Sequence, residues 1–490
     1  MQKSRSASGT HRGTAPLGIR LVAAAFVTLA MLAASCAAKG ADDSAGEPEG
    51  GGEEAQTTAA PAGDKFGDLD SPCGEGDFTV EADQSGGDPD VLKIGVANDR
   101  TSQIRPGLNK EMWDASNAFA AWCNEQGGIG GLPIEIVDID GKLLEVESAM
   151  TIACNSVFML VGGGQVQDNL QFTGKPDSDF HECGLADIPG FTVSPEKSDS
   201  NGQVQPLPHP SAQVGTGWMQ NFTEVDPDDA KSFAIVWGVL PSMETIRNQA
   251  QAVIEDQGGE VVGVFDYPVT GLADWTPLAQ QVINSGATAM TFVGEPTNLG
   301  SFVKSLREQG WEGTPVVETN SYDQTFIDSA GPEAAEGTVI RTVYHPFEEA
   351  DKWPATQQYI DIVTENVPDA KLAVLGMQSF SAWLLFATAA NDCGNSNDNT
   401  LTRACVLESA ADIEDWTGGG LHAASDPGEF GGTPSQCEML ITVKDGKFAR
   451  LYPELDSDAD NGDGFACYPD SLVEVPDNEG LGKIGPNQPL

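Results

Sequence analysis

Asn124-Glu-Gln-Gly-Gly-Ile-Gly-Gly-Leu-Pro-Ile-Glu-Ile-Val-Asp-Ile-Asp140 reads as a helix end, a tight turn and a strand. Gly127, Gly128, Gly130 and Gly131 supply a backbone that turns where other residues would be strained, and Pro133 to Ile139 is rich in β-branched residues. Upstream, apolar residues recur at helical spacing from about Leu108 to Asn124. Before them lies the apolar run Val91-Leu-Lys-Ile-Gly-Val-Ala97, followed by polar Asn98-Asp99-Arg100-Thr101. Strand, helix, turn and strand in this order make a βαβ unit, hence a parallel sheet. Downstream the pattern predicts a helix around Glu145–Asn155, a strand Val157–Val161 and another near Ile188–Val193.

The same grammar restarts after Gln203–Gly215, a stretch rich in Pro, Gly and Gln without apolar period, which reads as a crossing between two bodies. Strands are predicted at Ser232–Trp237, Glu260–Phe265, Ala287–Val293 and Thr314–Glu318. They alternate with helices at Met243–Asp256, Thr276–Ser285 and Leu299–Gln309. Two doubly wound domains follow. Neither first strand leads into GxGxxG, so a dinucleotide site has no support.

The chain ends address the protein. Basic Lys3, Arg5, Arg12 and Arg20 precede an apolar run from Leu21 to Ala34, too short to span a bilayer, and then comes Leu32-Ala33-Ala34-Ser35-Cys36. This resembles a lipoprotein signal peptide with its lipobox, Ala33 standing where leucine is preferred. Residues 1–35 are then the signal peptide, with lipidation at Cys36. Residues 36–88 read as an acidic tether, because the stretch from Ala37 to about Ser71 has almost no large apolar residue. With 25 basic against 74 acidic residues and a formal charge of −49, nucleic acid and anionic headgroups are repelled. Eight of the nine cysteines follow Cys36, an even number suited to an oxidising compartment. Proximity and the intervening elements favour Cys154–Cys183, Cys393–Cys405 and Cys437–Cys467, leaving Cys73–Cys123 by elimination.

The 124–140 stretch also resembles the N-x-x-G-G-I-x-G-x-x-I-x-x-x-x-x-D segment of type I periplasmic solute-binding proteins, the leucine/isoleucine/valine-binding group. Asp274-Trp-Thr-Pro277, Ser285-Gly-Ala-Thr-Ala-Met290 and Val443-Lys-Asp-Gly-Lys-Phe448 fit that family too, so the likeness covers about residues 90–450. It implies an α/β fold of two doubly wound parallel-sheet lobes joined by a three-segment hinge, with the ligand between the lobes. Lobe I would comprise 89–213 and 340–428, lobe II 214–339 and 429–470, and 471–490 a C-terminal tail. The second crossing is expected at Gly337–His345, the third near Asp426–Gly432, and a final hairpin at Cys437–Phe448. Helices are expected at Thr356–Asn366 and Met377–Asn391. The apolar Trp383–Ala387 belongs to the second and reads as buried helix, not membrane span.

Ligands of open parallel sheets sit beyond the carboxyl ends of the strands. That rule selects Asp99, Arg100, Thr101, Gly164, Gln165, Gln167 and Ser194 in lobe I, and Ser242, Glu295, Asn320 and Tyr322 in lobe II. Arg100 suits a carboxylate and Glu295 an ammonium group, so an α-amino acid is compatible with the set. Each has a bland alternative: Asp99 as a turn or cap residue, Gln165 and Gln167 as helix caps, Arg100 as a solvated rim charge. The family's carboxylate loop here is Gly162-Gly163-Gly164-Gln165-Val166-Gln167-Asp168, which has no hydroxyl.

Catalysis finds no motif: no HExxH or GxSxG occurs, and beyond the signal the histidines are His181, His209, His345 and His422. The acidic Asp456–Gly464 misses the EF-hand spacing and reads as a loop. No cofactor or metal is called for. The expectation is an extracytoplasmic lipoprotein that captures a small polar, amino-acid-like or amide-like solute and hands it to an ABC permease, a monomer touching the membrane through its lipid alone. A sensory lipoprotein reporting to a signalling partner is the alternative, and a secreted hydrolase a distant third.

Overall fold

The protein is described by a computed structural model over residues 65–171, 184–200, 202–428 and 431–478. The expected signal peptide, Cys36, residues 36–64 of the expected tether, Cys183 and residues 479–490 lie outside those residues.

Two sheets organise the molecule. The first runs in the order Ile134–Asp140, Leu92–Asn98, Met159–Val161, Asp187–Ile188, all parallel. The second begins Glu260–Pro268, Ser232–Val239, Ala289–Val293, Thr314–Val317, Val339–Thr342, also parallel. It is then closed by the antiparallel hairpin Cys437–Lys444 and Lys447–Tyr452. Helices cover the sheets because βαβ crossovers place them there. On the first sheet, Lys110–Glu125 packs against Val374–Ser396 and Pro354–Asn366. Trp383, Leu384, Leu385, Phe386 and Ala387 are fully buried there. Among the described residues no helix is long and apolar enough to cross a membrane.

The glycine turn is used as its sequence predicts. All four glycines have positive φ, and a Cβ on Gly128 would stand 2.1 Å from the Leu132 carbonyl oxygen. Gly130 faces the Phe78 ring, where a Cβ would come within 2.0 Å.

That contact exposes a difference from expectation at the N-terminus. Residues 65–88, assigned to the tether, are folded onto the first lobe. Lys65–Phe66 and Leu69–Asp70 form a hairpin, and Thr79–Val80 pairs with Thr400–Leu401. Phe66 is fully buried with its ring 5.1 Å from that of Phe380. Cys73 is bonded to Cys123 on the first helix. The few apolar residues of the stretch suffice because each meets a preformed core. Phe66→Ala is expected to cost about 2 kcal/mol, less than a central phenylalanine because a terminal hairpin can relax. Chemical denaturation measures this, and a change near zero would mean that residues 65–70 do serve as tether.

The other end differs likewise. Leu472–Glu474, placed in the tail, pairs with Gln213–Gly215 in the first crossing. Asn478 is fully buried and donates to the carbonyls of Ser211 (2.9 Å) and Thr245 (3.1 Å). The strand expected over Ile188–Val193 is only Asp187–Ile188, since Pro189-Gly190 interrupts the ladder. Cys393–Cys405 and Cys437–Cys467 are bonded. Cys154 is disulfide-bonded as well, its expected partner Cys183 lying outside the described residues. In the acidic loop, Asp460 accepts from the amides of Asp456 (3.0 Å) and Gly464 (2.6 Å), so its oxygens serve the turn. Among the described residues no group of three metal-ligating side chains is assembled.

Three stretches pass between the sheets and lie against one another. Ser425 Oγ donates to the Pro206 carbonyl at 2.7 Å, and Ala423 N to the Val343 carbonyl at 2.9 Å.

Candidate ligand cleft

Between the carboxyl ends of the two sheets lies a cavity of about 530 Å³, within the ordinary range for a small-molecule site. Its walls are mainly apolar: Phe191 and Leu375 stand on the first lobe, Met243, Ile246 and Val293 on the second. Polar groups enter at separate places. Asn320 and Glu295 come from strand-end loops of the second lobe. His209 comes from the first crossing, Arg341 from the last parallel strand and Glu438 from the final hairpin.

Of the residues the sequence selected, Glu295 and Asn320 line this cavity. Glu295 caps the helix Pro296–Glu308, accepting from the amides of Thr297 (3.1 Å) and Asn298 (3.0 Å), and pairs across the cleft with Arg105 of the first lobe. Burial pushes its carboxyl above the ordinary value, against the pull of Arg105. Asn320 Nδ2 donates to the Gly294 carbonyl at 2.8 Å. Ser242 lies at the lobe interface instead, its Oγ donating to the Val166 carbonyl at 2.8 Å.

The others serve the scaffold. Asp99 is fully buried and accepts from Leu143 N (2.7 Å) and Val166 N (2.9 Å), holding two loops together. Burial raises its pKa to about 6, moderated by those amides. Arg100 forms a fork with Asp138, 2.7 Å on each arm, and covers the Trp113 ring. Thr101 is exposed, its amide bonded to Asp140. Gly164 backs onto the Phe191 ring. Gln165 is fully buried and donates to the Ile139 carbonyl at 3.2 Å, and Gln167 donates to the Leu143 carbonyl. Ser194 caps the short helix Pro195–Ser198. Tyr322 turns away from the cleft, its hydroxyl donating to Glu348 at 2.5 Å and accepting from Phe347 N at 2.7 Å.

Sequence reasoning missed the charged groups that line the cavity beyond Glu295. Lys371 of the first lobe bridges Glu111 of its own lobe (2.9 Å) and Asp323 of the second (2.6 Å). Arg341 binds Glu318, with Nε at 2.9 Å. Asp323 directly follows Tyr322, which the strand-end rule selects, but Arg341 and Glu438 lie inside strands and His209 on an aperiodic crossing, where no local pattern marks them.

Several lining side chains keep an uncommitted polar atom. Asn320 Oδ1, Gln378 Oε1, Glu438 Oε2, His209 Nδ1 and Gln205 Nε2 are buried without a hydrogen-bond partner among the described residues. Buried polar groups are ordinarily satisfied, so their gathering at one cavity marks a place built to receive something polar. Burial lifts Glu438 to about 7 although Arg341 opposes it, and lowers His209 to about 4 with Arg341 adding to the effect.

The family model described as "Periplasmic binding protein" matches residues 91–447. Among curated protein sequences none matches the chain. Solved structures share the fold. A leucine-binding protein from Thermotoga maritima is 15% identical, with TM-score 0.60, covering 74% of this chain and 98% of its own. A branched-chain amino acid transporter substrate-binding protein from Streptococcus pneumoniae, in complex with isoleucine, is 16% identical at TM-score 0.57, covering 74% and 100%. A fatty acid ABC transporter substrate-binding protein from Thermomonospora curvata is 16% identical at TM-score 0.62, covering 76% and 94%. At such identities the likeness carries the fold.

Proposed function

The chain belongs to the periplasmic binding protein family, and on that premise we propose that it is a lipid-anchored, solute-binding protein of an ABC importer. A small solute enters the interlobe cleft, the lobes close on it about the three crossings, and the closed form is presented to a permease. The observation that carries this reading is the cavity itself, enclosed by both lobes and lined by side chains whose polar atoms lack partners. The resemblance of Leu32–Cys36 to a lipobox supports the anchor. Relatives of the same fold, named for branched-chain amino acids and for a fatty acid, support import of a small molecule and span a wide range of polarity. The apolar walls here ask for a solute with a substantial apolar body, more than the small polar solute expected from sequence.

A thermal-shift screen of the full chain against amino acids, amides, amines, fatty acids and small organic acids tests the proposal. A ligand at a hundred times its dissociation constant adds about 2.7 kcal/mol to stability, which the screen detects; silence throughout counts against solute binding. Asn320→Ala is expected to weaken binding of the hit by about tenfold, the worth of one buried hydrogen bond, without lowering the thermal midpoint of the free protein. Unchanged affinity would remove Asn320 from the site.

A further inference from the structure

Resting on the reading of the cleft as a solute site, we infer that its solute bears an apolar body and a cationic or N–H-donating head received by Glu438, and no free carboxylate.

The first support is that four of the anion cradles about the cleft are already filled by the chain's own carboxylates, while the N-termini of Lys110–Glu125 and Pro241–Asp256 bear no side-chain cap among the described residues, the former with Glu111 in its first turn. In an open α/β sheet these cradles are strand-end loop amides and helix N-termini. Here Asp168 accepts from the amides of Val193 (2.7 Å) and Ser194 (3.0 Å), and Asp99 from that of Val166. In the second lobe Glu295 caps Pro296–Glu308, and Asp323 accepts from Thr325 N at 2.8 Å. A solute carboxylate would compete with four side chains fixed in place, three of them buried and Glu295 partly so.

The second support is the account of charge. Among the described residues four cationic side chains line the cavity, and each is bound: Arg105 to Glu295, Lys110 to Asp114, Lys371 to Glu111 and Asp323, and Arg341 to Glu318. Each already has its carboxylate, so an anionic solute would have to share or displace it.

What remains open is mainly acceptor: among the unpartnered lining atoms Asn320 Oδ1, Gln378 Oε1 and Glu438 Oε2 accept, and Gln205 Nε2 donates. Glu438 is only 8% exposed and its Oε2 has no partner among the described residues. Its neighbour Arg341 is engaged by Glu318, so this cluster holds one carboxylate more than its cations. Asn320 is oriented by the Gly294 carbonyl, which can accept only from Nδ2, so the unpartnered atom at the cleft is the oxygen. An ammonium, amidinium or amide N–H satisfies both acceptors, with the apolar body along Phe191, Met243 and Ile246.

Protonation supplies a signature. Glu438 titrates near 7 and a cation selects its ionised form, so affinity for an amine should be about tenfold weaker at pH 6 than at pH 8. The groups facing Glu438 are Arg341 from the adjacent strand, Glu318, the backbone N–H of Trp218, and Tyr468 beyond Ala466–Cys467, while His209 of the first crossing faces the same Arg341 and Glu318. Arg341 stays charged, His209 near 4 stays neutral, and Tyr468, raised by burial, stays protonated across that range.

The test is calorimetry on the full chain with matched skeletons: phenethylamine, 3-phenylpropanamide and 3-phenylpropanoate, and the butyl to octyl amines against the corresponding carboxylates. The amine is expected to bind at least about tenfold more tightly than its carboxylate at pH 8. Glu438→Gln should erase that preference and its pH dependence while leaving the amide within a few-fold. Overturning results are a carboxylate bound as well as its amine, an amine unaffected by Glu438→Gln, or silence across the series. The broad screen separates the two levels: hits confined to carboxylates overturn this inference alone, whereas no hit in any class overturns solute binding itself.

Discussion

Trp383→Ala is expected to remove about 4 kcal/mol of stability, near the upper range for a single core substitution. The indole is fully buried, stacked on Phe119 with centroids 5.2 Å apart, and its Nε1 donates to Ser116 Oγ at 2.9 Å. Ser116 in turn meets Ser379 Oγ at 3.1 Å, so one side chain ties Lys110–Glu125 to Val374–Ser396 by packing and by a polar relay. The cost has two parts: the contacts of a large ring lost to a cavity that rigid helices cannot close, and a buried hydroxyl left short of a partner. The same ring supports the cleft. Gly162, the first residue beyond the strand Met159–Val161, lies so close that a Cβ would stand 2.5 Å from Nε1, and its φ of +69° suits glycine. From there the chain runs through Gly163 and Gly164 to Val166 on the cavity wall. Trp383→Phe keeps the stacking and should lose only about 2 kcal/mol. Denaturant unfolding reads both values. A loss below about 1 kcal/mol for the alanine variant would show that the helix pair is held by other contacts.

Much of this scaffold is legible in the sequence because it is locally specified. The helix Thr276–Ser285 begins and ends where expected, since Pro277 suits its first turn and Gly286 leaves it with φ 78°. The Gly127–Gly131 turn is legible for the same reason. The termini are not, because Phe66 and Leu472 count as structural only once the distant surfaces they meet exist. The site divides in a similar way. Glu295 and Asn320 are found by the strand-end rule, but the rule cannot tell a side chain facing a solute from one facing the next loop. Asp99 and Gln165 turn to partners 26 to 67 residues away, and sequence periodicity holds no record of that. Asp168 shows the converse: its carboxylate fills the loop beyond Asp187–Ile188, so an apolar run read as strand becomes part of a cleft wall.

Lys371→Met should have an effect of comparable size, and it reports on how the two lobes meet. Lys371 is 28% exposed at its side chain, while the carboxylates it joins, Glu111 and Asp323, are 3% and 4% exposed. Burial already pushes Glu111 above its ordinary value, with Lys371 the main restraint and Asp323 working against it. Removing the ammonium leaves two buried carboxylates without their cation, on opposite lobes. Breaking a buried ion pair from one side costs about 3–5 kcal/mol, and the exposure of Lys371 favours the lower end. The system can relieve this charge by taking up a proton or by moving the lobes apart. The first predicts a variant less stable at pH 8 than at pH 5.5 relative to wild type. The second predicts a larger radius of gyration by small-angle scattering at pH 8. The two are alternative reliefs of one repulsion, so either meets the expectation and both together share its cost. The triple variant Glu111→Gln, Asp323→Asn, Lys371→Met removes the charges with the cation and should recover most of the stability, because a neutral replacement leaves nothing ionised in the interior. Lys371→Met as stable and as compact as wild type across that pH range would mean that the bridge contributes nothing to holding the lobes together.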